Sequence, residues 1–331
     1  MQGLQQGRPT TASARPVWTA AAASASAAAG VDIASRASVK AFFNQVYLAS
    51  EGVAPGWHGS VARCMPSSVS AAFKRATRRR INFFRAMAGV PAAVSLDAAL
   101  SRKAQEAALL MMANEQLSHY PPADWKCYSS GGAEAAGRSN LSLGNKGAAA
   151  VASQMRDAGK GNGGAGHRRW LLYPHTRTMG AGDVDYLSED PFWYDGSNAL
   201  WVFDESSWSA PRPATRHAFV AWPPPGYVPY QVVWARWSFS YPDADFSRAK
   251  VAMKNLRSGK AVRAVVEAQE CCMGDSTLVW LVAGRGGEDR ASWRQPLPGR
   301  DVAIVVTVRG VRVGRATRKF QYTVRIMDPA A

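Results

Sequence analysis

Apolar residues recur three and four positions apart through much of the first half of the chain, and every second position through much of the last third. Residues 35–49 place Val39, Phe42, Phe43, Val46 and Tyr47 on one side of a predicted helix, and residues 52–64 read as a loop. A second helix is predicted over residues 68–87. Phe73, Thr77, Ile81, Phe84 and Ala88 form its apolar stripe, while Lys74, Arg75, Arg78 and Arg79 lie off it as a solvated basic face. Ser95 is read as the N-cap of a third helix, with Asp97 in the first turn to meet the positive end of the dipole. Leu96, Leu100, Ala104, Ala107, Met111 and Asn114 carry this helix to residue 118, and Pro121-Pro122 is expected to stop it, leaving His119 at its C-terminal edge. Met111-Met112 reads as core filler. Residues 146–158 predict a further short helix, and residues 177–184, 199–203 and 217–222 are strand candidates.

The pattern changes at Trp222-Pro223-Pro224-Pro225-Gly226-Tyr227-Val228-Pro229, which reads as a stiff linker. Alternating runs at 232–240, 250–254, 261–267, 277–282, 302–308 and 320–326 follow, separated by turn residues. Short strands at that spacing predict an all-β, immunoglobulin-like sandwich, a fold used more for adhesion than for catalysis.

A chain of 331 residues suffices for two domains, and 47% hydrophobic with 19% charged residues is a globular composition. No run reaches the roughly 18 uninterrupted apolar residues of a membrane helix. The formal charge of +16 favours polyanionic surroundings. No zinc finger, RNA-recognition signature or basic-aromatic alternation accompanies it, which argues against nucleic acid as the partner.

The first thirty residues are rich in Ala, Ser and Thr, with Ala-x-Ala sites such as Ala23-Ser24-Ala25. They read either as a weak secretory signal or as a disordered tail. Cys64 and Cys127 flank the helical region and are placed to staple it. Cys271 and Cys272 are adjacent. Because vicinal disulfides are strained, at least one of the two is expected to be reduced or simply buried.

The segment Gly166-His167-Arg168-Arg169-Trp170 puts a histidine directly after the glycine-rich run 159–164, which lacks phosphate-loop spacing. With His119, and with Glu134 and Asp157 between them in sequence, it suggests a shared polar site. Two neutral imidazoles can ligate Zn²⁺ weakly and exchangeably, with carboxylates orienting the rings or serving as a general base. The paired histidines of a zinc-peptidase helix do not occur. Gly137-Arg138-Ser139-Asn140-Leu141 lacks the closing glycine of a nucleophile elbow. Gly274-Asp275-Ser276 reads as a hairpin turn.

Several segments resemble the CAP superfamily (SCP/TAPS), which includes cysteine-rich secretory proteins, venom antigen 5 and plant pathogenesis-related 1 proteins. Arg80-Ile81-Asn82-Phe83-Phe84-Arg85, Leu96-Asp97-Ala98-Ala99-Leu100 and Lys103-Ala104-Gln105-Glu106-Ala107-Ala108 are similar to its first helices. Ser118-His119 matches its first site histidine. Gly166-His167-Arg168, followed by Leu171, Leu172 and Pro174, looks like the bacterial form of the second. Met179-Gly180-Ala181-Gly182 is similar to the strand that follows.

The residue pattern places a disordered or targeting segment (1–34) and a helical extension (35–66) first, and the resemblance implies a CAP-type α-β-α sandwich over residues 67–222 of an α+β chain. A linker (223–231) and the β-sandwich (232–329) would follow. It further implies a secreted protein whose cleft carries two histidines and two acids, with metal on His119 and His167 and Zn²⁺ as the candidate ion. Asp157 takes the later acidic position, because residues 150–157 resemble that family's helix, with Gln154 where it has tryptophan. The earlier position falls either to Glu134 or to Ser139. The function expected is binding, at the cleft or through the sandwich, of a cell-surface polymer, lipid or protein rather than catalysis. The alternatives are a divalent-metal-dependent hydrolase acting at the same cleft and an adhesion protein acting through the sandwich.

Overall fold

The computed structural model of the chain describes residues 30–186, 195–283 and 292–331. The expected targeting or tail segment lies outside them except for its closing residues, where Val31 and Ile33 are buried. Ser35 then caps α1 (Arg36–Phe42), which runs on through a π turn and a 3-10 turn to Ser50. The predicted stripe faces inward: Phe43 and Tyr47 stack at 4.7 Å and meet Phe83 edge-on.

Helix α2 (Ala71–Ala88) is capped by Ser70, whose hydroxyl accepts from the Phe73 amide. It ends where Gly89 enters the left-handed region. Its stripe is buried as read, and Arg75, Arg78 and Arg79 are exposed. Periodicity did not announce Arg85, which is fully buried and donates to the carbonyls of Pro91, Leu171, Tyr173 and Thr176. Burial pulls this guanidinium down to about 9, with Asp204 opposing. Arg85 thereby ties α2 to the turn that follows the second histidine.

Ser95 is not a cap. It lies on strand β1 (Ser95–Leu96), and α3 (Ala98–Asn114) is capped by Asp97, which accepts the Leu100 amide at 2.8 Å. A carboxylate serves the helix N-terminus through charge as well as hydrogen bonding, so the acidic residue takes the position. The helix also stops early, at Glu115 in the left-handed region, well before Pro121.

Helix α4 (Ser130–Ala136), strand β2 (Ser139–Leu143), helices α5 (Gly147–Arg156) and α6 (Gly166–Leu171), and strands β3 (Thr178–Val184) and β4 (Ser197–Trp201) complete the first half. Its sheet has the order β1-β3-β4-β2, antiparallel except for β1 against β3. Side chains alternate across it. Met179, Ala181 and Leu200 join the core of α2 and α5, while Leu141, Ala199 and Trp201 join that of α3 and α4. Gly182 sits where a Cβ would come within 2.1 Å of the Gln105 nitrogen, so its lack of a side chain sets how closely α3 approaches the sheet.

The expected linker is sheet instead. Strand β5 (Val220–Trp222) pairs with β7 (Arg236–Ser240), and β6 (Gly226–Pro229) runs parallel to the last strand. Strands β8 (Ala244–Asp245), β9 (Lys250–Asn255), β10 (Ala261–Val262), β11 (Ala264–Val266), β12 (Thr277–Val282), β13 (Val302–Val313) and β14 (Ala316–Met327) follow. They form one sheet of order β10-β9-β13-β14-β6, with β8 on β13, and a second of order β11-β12-β7-β5. Phe239 of one sheet packs on Phe320 of the other at 5.0 Å, and Trp280 Nε1 donates to Met253 Sδ. The chain is thus α+β, a three-layer α-β-α unit followed by a two-sheet sandwich. Tyr227 donates to the Ile33 carbonyl, so residues before α1 also pack on the sandwich.

Candidate functional site

His119 lies on the loop after α3 rather than at a helix end. Its Nδ1 donates to the Ala136 carbonyl at 2.8 Å, since a carbonyl can only accept, and this leaves Nε2 to the open side. His167 is the second residue of α6. Its Nδ1 donates to Asp157 Oδ1 at 2.7 Å, and Asp157 Oδ2 accepts the Arg168 amide.

Asp157 itself is held firmly. It is 1% exposed, closes α5 in the left-handed region, and its carbonyl accepts from the Arg236 guanidinium of β7. Burial acts against the His167 imidazolium, but the hydrogen bond and charge of Asp157 outweigh it, so this histidine titrates above its ordinary value.

A chain of buried amides runs back from there. Asn140 on β2 donates to the His167 carbonyl and to Gln154. Gln154 donates to Asn198, and Asn198 to Asp183 Oδ1. Gln154 stands where the resemblance called for tryptophan, and here it joins α5 to the sheet. Asp183 is fully enclosed, and burial raises it to about 6 against the hydrogen bonds from Gly147 and Asn198.

Two clefts meet at the histidines. The larger, of about 870 Å³, runs from Glu115 past Leu143 and Arg156 to Asp157. The smaller, of about 330 Å³, runs from Ser139 and Trp170 to Phe203 and reaches Glu270 and Met273 of the sandwich. His119, Asn162 and His167 line both.

Of the predicted site residues, His119, Asp157 and His167 come together and Ser139 joins them, 5% exposed and with no hydrogen-bond partner for its Oγ. Glu134 does not. It lines neither cleft and is held by Lys103 at 2.5 Å and Arg138 at 3.9 Å. The reason is positional: Glu134 sits on the α4 surface beside α3, while the strand that enters the cleft begins only at Ser139. Sequence reading missed Asn140, Asn162, Glu270 and Met273. The glycines of residues 159–166 were the one local signal for the last two.

The donor set for a metal is thus two imidazole Nε2 atoms, each oriented through its Nδ1. Asp157 is engaged in that orientation. Among the described residues no group of three or more His, Cys, Asp or Glu could hold a metal ion. Catalytic zinc commonly takes three protein ligands, one more than these two imidazoles.

Cys64 and Cys127 are bonded, with Cα atoms 5.0 Å apart. Contrary to expectation, Cys271 and Cys272 are bonded to each other and exposed. No helix of the described residues is long and apolar enough to cross a membrane.

Residues 78–194 match the model of a protein family described as CAP, the cysteine-rich secretory protein family. Among solved structures, PcoC, a methionine rich copper resistance protein from Escherichia coli, is similar with a TM-score of 0.23 and 12% identity. That likeness covers 32% of this chain and 92% of that one. Selenomethionine PcoC gives 0.22 and 10%, over 32% and 94%. These likenesses are too slight to bear on fold or function. No curated protein matches the chain.

Proposed function

From the match of residues 78–194 to the CAP family, we propose a secreted protein that binds a cell-surface polymer in the cleft around His119 and His167. The observation that carries this reading is the meeting of two clefts at one histidine pair, which gives an extended groove suited to a chain rather than a closed pocket suited to a small substrate. Secretion is supported by the pairing of all four cysteines, because disulfides persist in oxidising compartments.

His119 and His167 would hold a divalent ion such as Zn²⁺ through their Nε2 atoms, and the ion would supply a Lewis-acid contact for an oxygen of the ligand. The residues do the positioning: Asp157 and the Ala136 carbonyl fix the two rings, and the Asn140–Gln154 link holds α5 and α6 against β2.

The reading is tested by co-sedimentation of the full chain with insoluble cell-wall polysaccharides, beside the double variant His119→Ala/His167→Ala. Binding that disappears in the variant supports the cleft, and undiminished binding overturns it. The Asp157–His167 pair favours one second reading, a divalent-metal-dependent hydrolase in which Asp157 keeps that imidazole oriented as a ligand. Turnover of an ester or peptide panel, abolished in the double variant, would install it in place of the first.

A further inference from the structure

The glycine-rich loop before His167 lies against the segment between β11 and β12. A Cβ at Gly164 would lie 2.4 Å from Glu270 Oε2, and one at Gly166 would lie 2.5 Å from Met273 Sδ. A side chain at either position would have to push the Glu270 or Met273 side chain aside.

Arginines of the first half of the structure fasten that segment along its length. Arg169, 6% exposed, donates to the Gly164, Glu270 and Asp275 carbonyls. Arg212 grips the Asp275 carboxylate with two bonds of 2.6 Å. The backbone that carries Glu270 and Met273 is thereby held at the smaller cleft, which Trp170 and Phe203 also line.

The lining of this end selects against most ligands. Although the chain carries +16, no lysine or arginine lines the smaller cleft among the described residues, and Glu270 is its one carboxylate. Away from the two histidines, phosphates, sulfates and other anions find no countercharge there. The wall offers an aromatic surface, with Trp170 packed on Phe203 at 4.5 Å and stacked on Trp208. Beside it lie hydrogen-bonding groups that suit hydroxyls and amides: Asn162, the Glu270 carboxylate and the Ser139 hydroxyl, which is buried and has no partner of its own. An aromatic face beside carboxylate, amide and hydroxyl groups is complementary to a sugar ring, apolar on its flat side and hydroxylated at its edge.

We propose that the sandwich completes the CAP cleft, and that the Trp170–Glu270 end binds a neutral saccharide ring of a polymer whose chain continues past the histidines. The inference rests on the cleft reading given above and adds to it the ligand class and the role of the second domain.

The test is calorimetric titration of the full chain with a neutral chito-oligosaccharide, using wild type, Glu270→Ala, Glu270→Gln and His119→Ala/His167→Ala. Glu270 is exposed, so its variants are expected to fold, which circular dichroism checks. The expected result is saturable binding weakened about tenfold by Glu270→Ala, the effect of losing one hydrogen bond to a charged acceptor. Glu270→Gln, which keeps an acceptor oxygen, should lose less. Quenching of tryptophan fluorescence that vanishes in Trp170→Leu would place the sugar on that ring.

Loss of binding in the histidine variant with none in Glu270→Ala would overturn this inference and leave the cleft reading intact. Binding of another polymer but not of the saccharide would do the same. Binding that ignores both sets of variants would sink both readings.

Discussion

Asp157 holds His167 from the opposite end of a ten-residue span, its Oδ1 on the ring nitrogen at 2.7 Å and its Oδ2 on the next backbone amide. The carboxylate fixes both the tautomer and the charge preference of the histidine. Asp157→Asn keeps an acceptor oxygen and removes the charge. His167 should then titrate lower, because burial acts unopposed. A histidine raised in the folded state contributes stability that is complete below its ordinary value of about 6.5 and is lost as pH rises through the folded value. The stability gap between wild type and variant should therefore be widest at low pH and narrow on the alkaline side. Proton NMR titration of His167, with denaturant melts between about pH 5 and pH 8, measures both. A His167 titration unchanged in the variant would refute the assignment.

Asp183 presents the opposite sign. It is an acid raised to about 6 by burial, so the folded state holds its proton more tightly than the unfolded state does. Stability should fall as pH rises from the ordinary carboxylate range through about 6 and then level off, a loss of at most about 3 kcal/mol. Asp183→Asn should flatten that portion of the profile. It will not recover the whole amount, because the new amide nitrogen would take the place of Oδ2, which has no partner. Chemical denaturation at a series of pH values checks it, and an unaltered slope would show that Asp183 is not the titrating group.

Cys64–Cys127 spans 63 residues and ties the loop before α2 to the loop before α4. Closing a loop of that length restricts the unfolded chain by about 4 kcal/mol in the chain-entropy model. The double variant Cys64→Ser/Cys127→Ser should unfold at lower denaturant by about 2–4 kcal/mol. Because the bond lies outside the histidine cleft, ligand binding at temperatures where the variant stays folded should be unchanged.

Much of the first half was legible because its helices carry their burial in local period. Phe73, Thr77, Ile81 and Phe84 fall on one face by spacing alone, and the structure buries that face. What local pattern could not carry is long-range pairing. Gly226–Pro229 reads as a linker until Val324–Met327, about a hundred residues on, supplies its parallel partner. The site divides the same way. His119, His167 and Asp157 were legible as residue types in a familiar order. Glu270 and Met273 were not, because only the packing of one domain on the other brings them to the cleft. Glu134 was misplaced because sequence nearness to Ser139 says nothing about which surface of α4 it occupies.

Three cations stand abreast on the sandwich surface. Arg309 of β13 is directly opposite Lys319 of β14 on one side and Lys250 of β9 on the other, and all three are exposed. None is in an ion pair among the described residues. Like charges opposed across a ladder repel, whereas opposite charges contribute roughly 0.2–1 kcal/mol per pair. Arg309→Glu turns two repulsions into two attractions and should stabilise the sandwich by about 1 kcal/mol at low salt. The gain should shrink as ionic strength rises, because exposed pairs are screened. Thermal melts at low and high salt decide it. A gain that persists at high salt would mean that Arg309 strains the ladder by packing rather than by charge, and no gain at either would mean that the three side chains already splay apart.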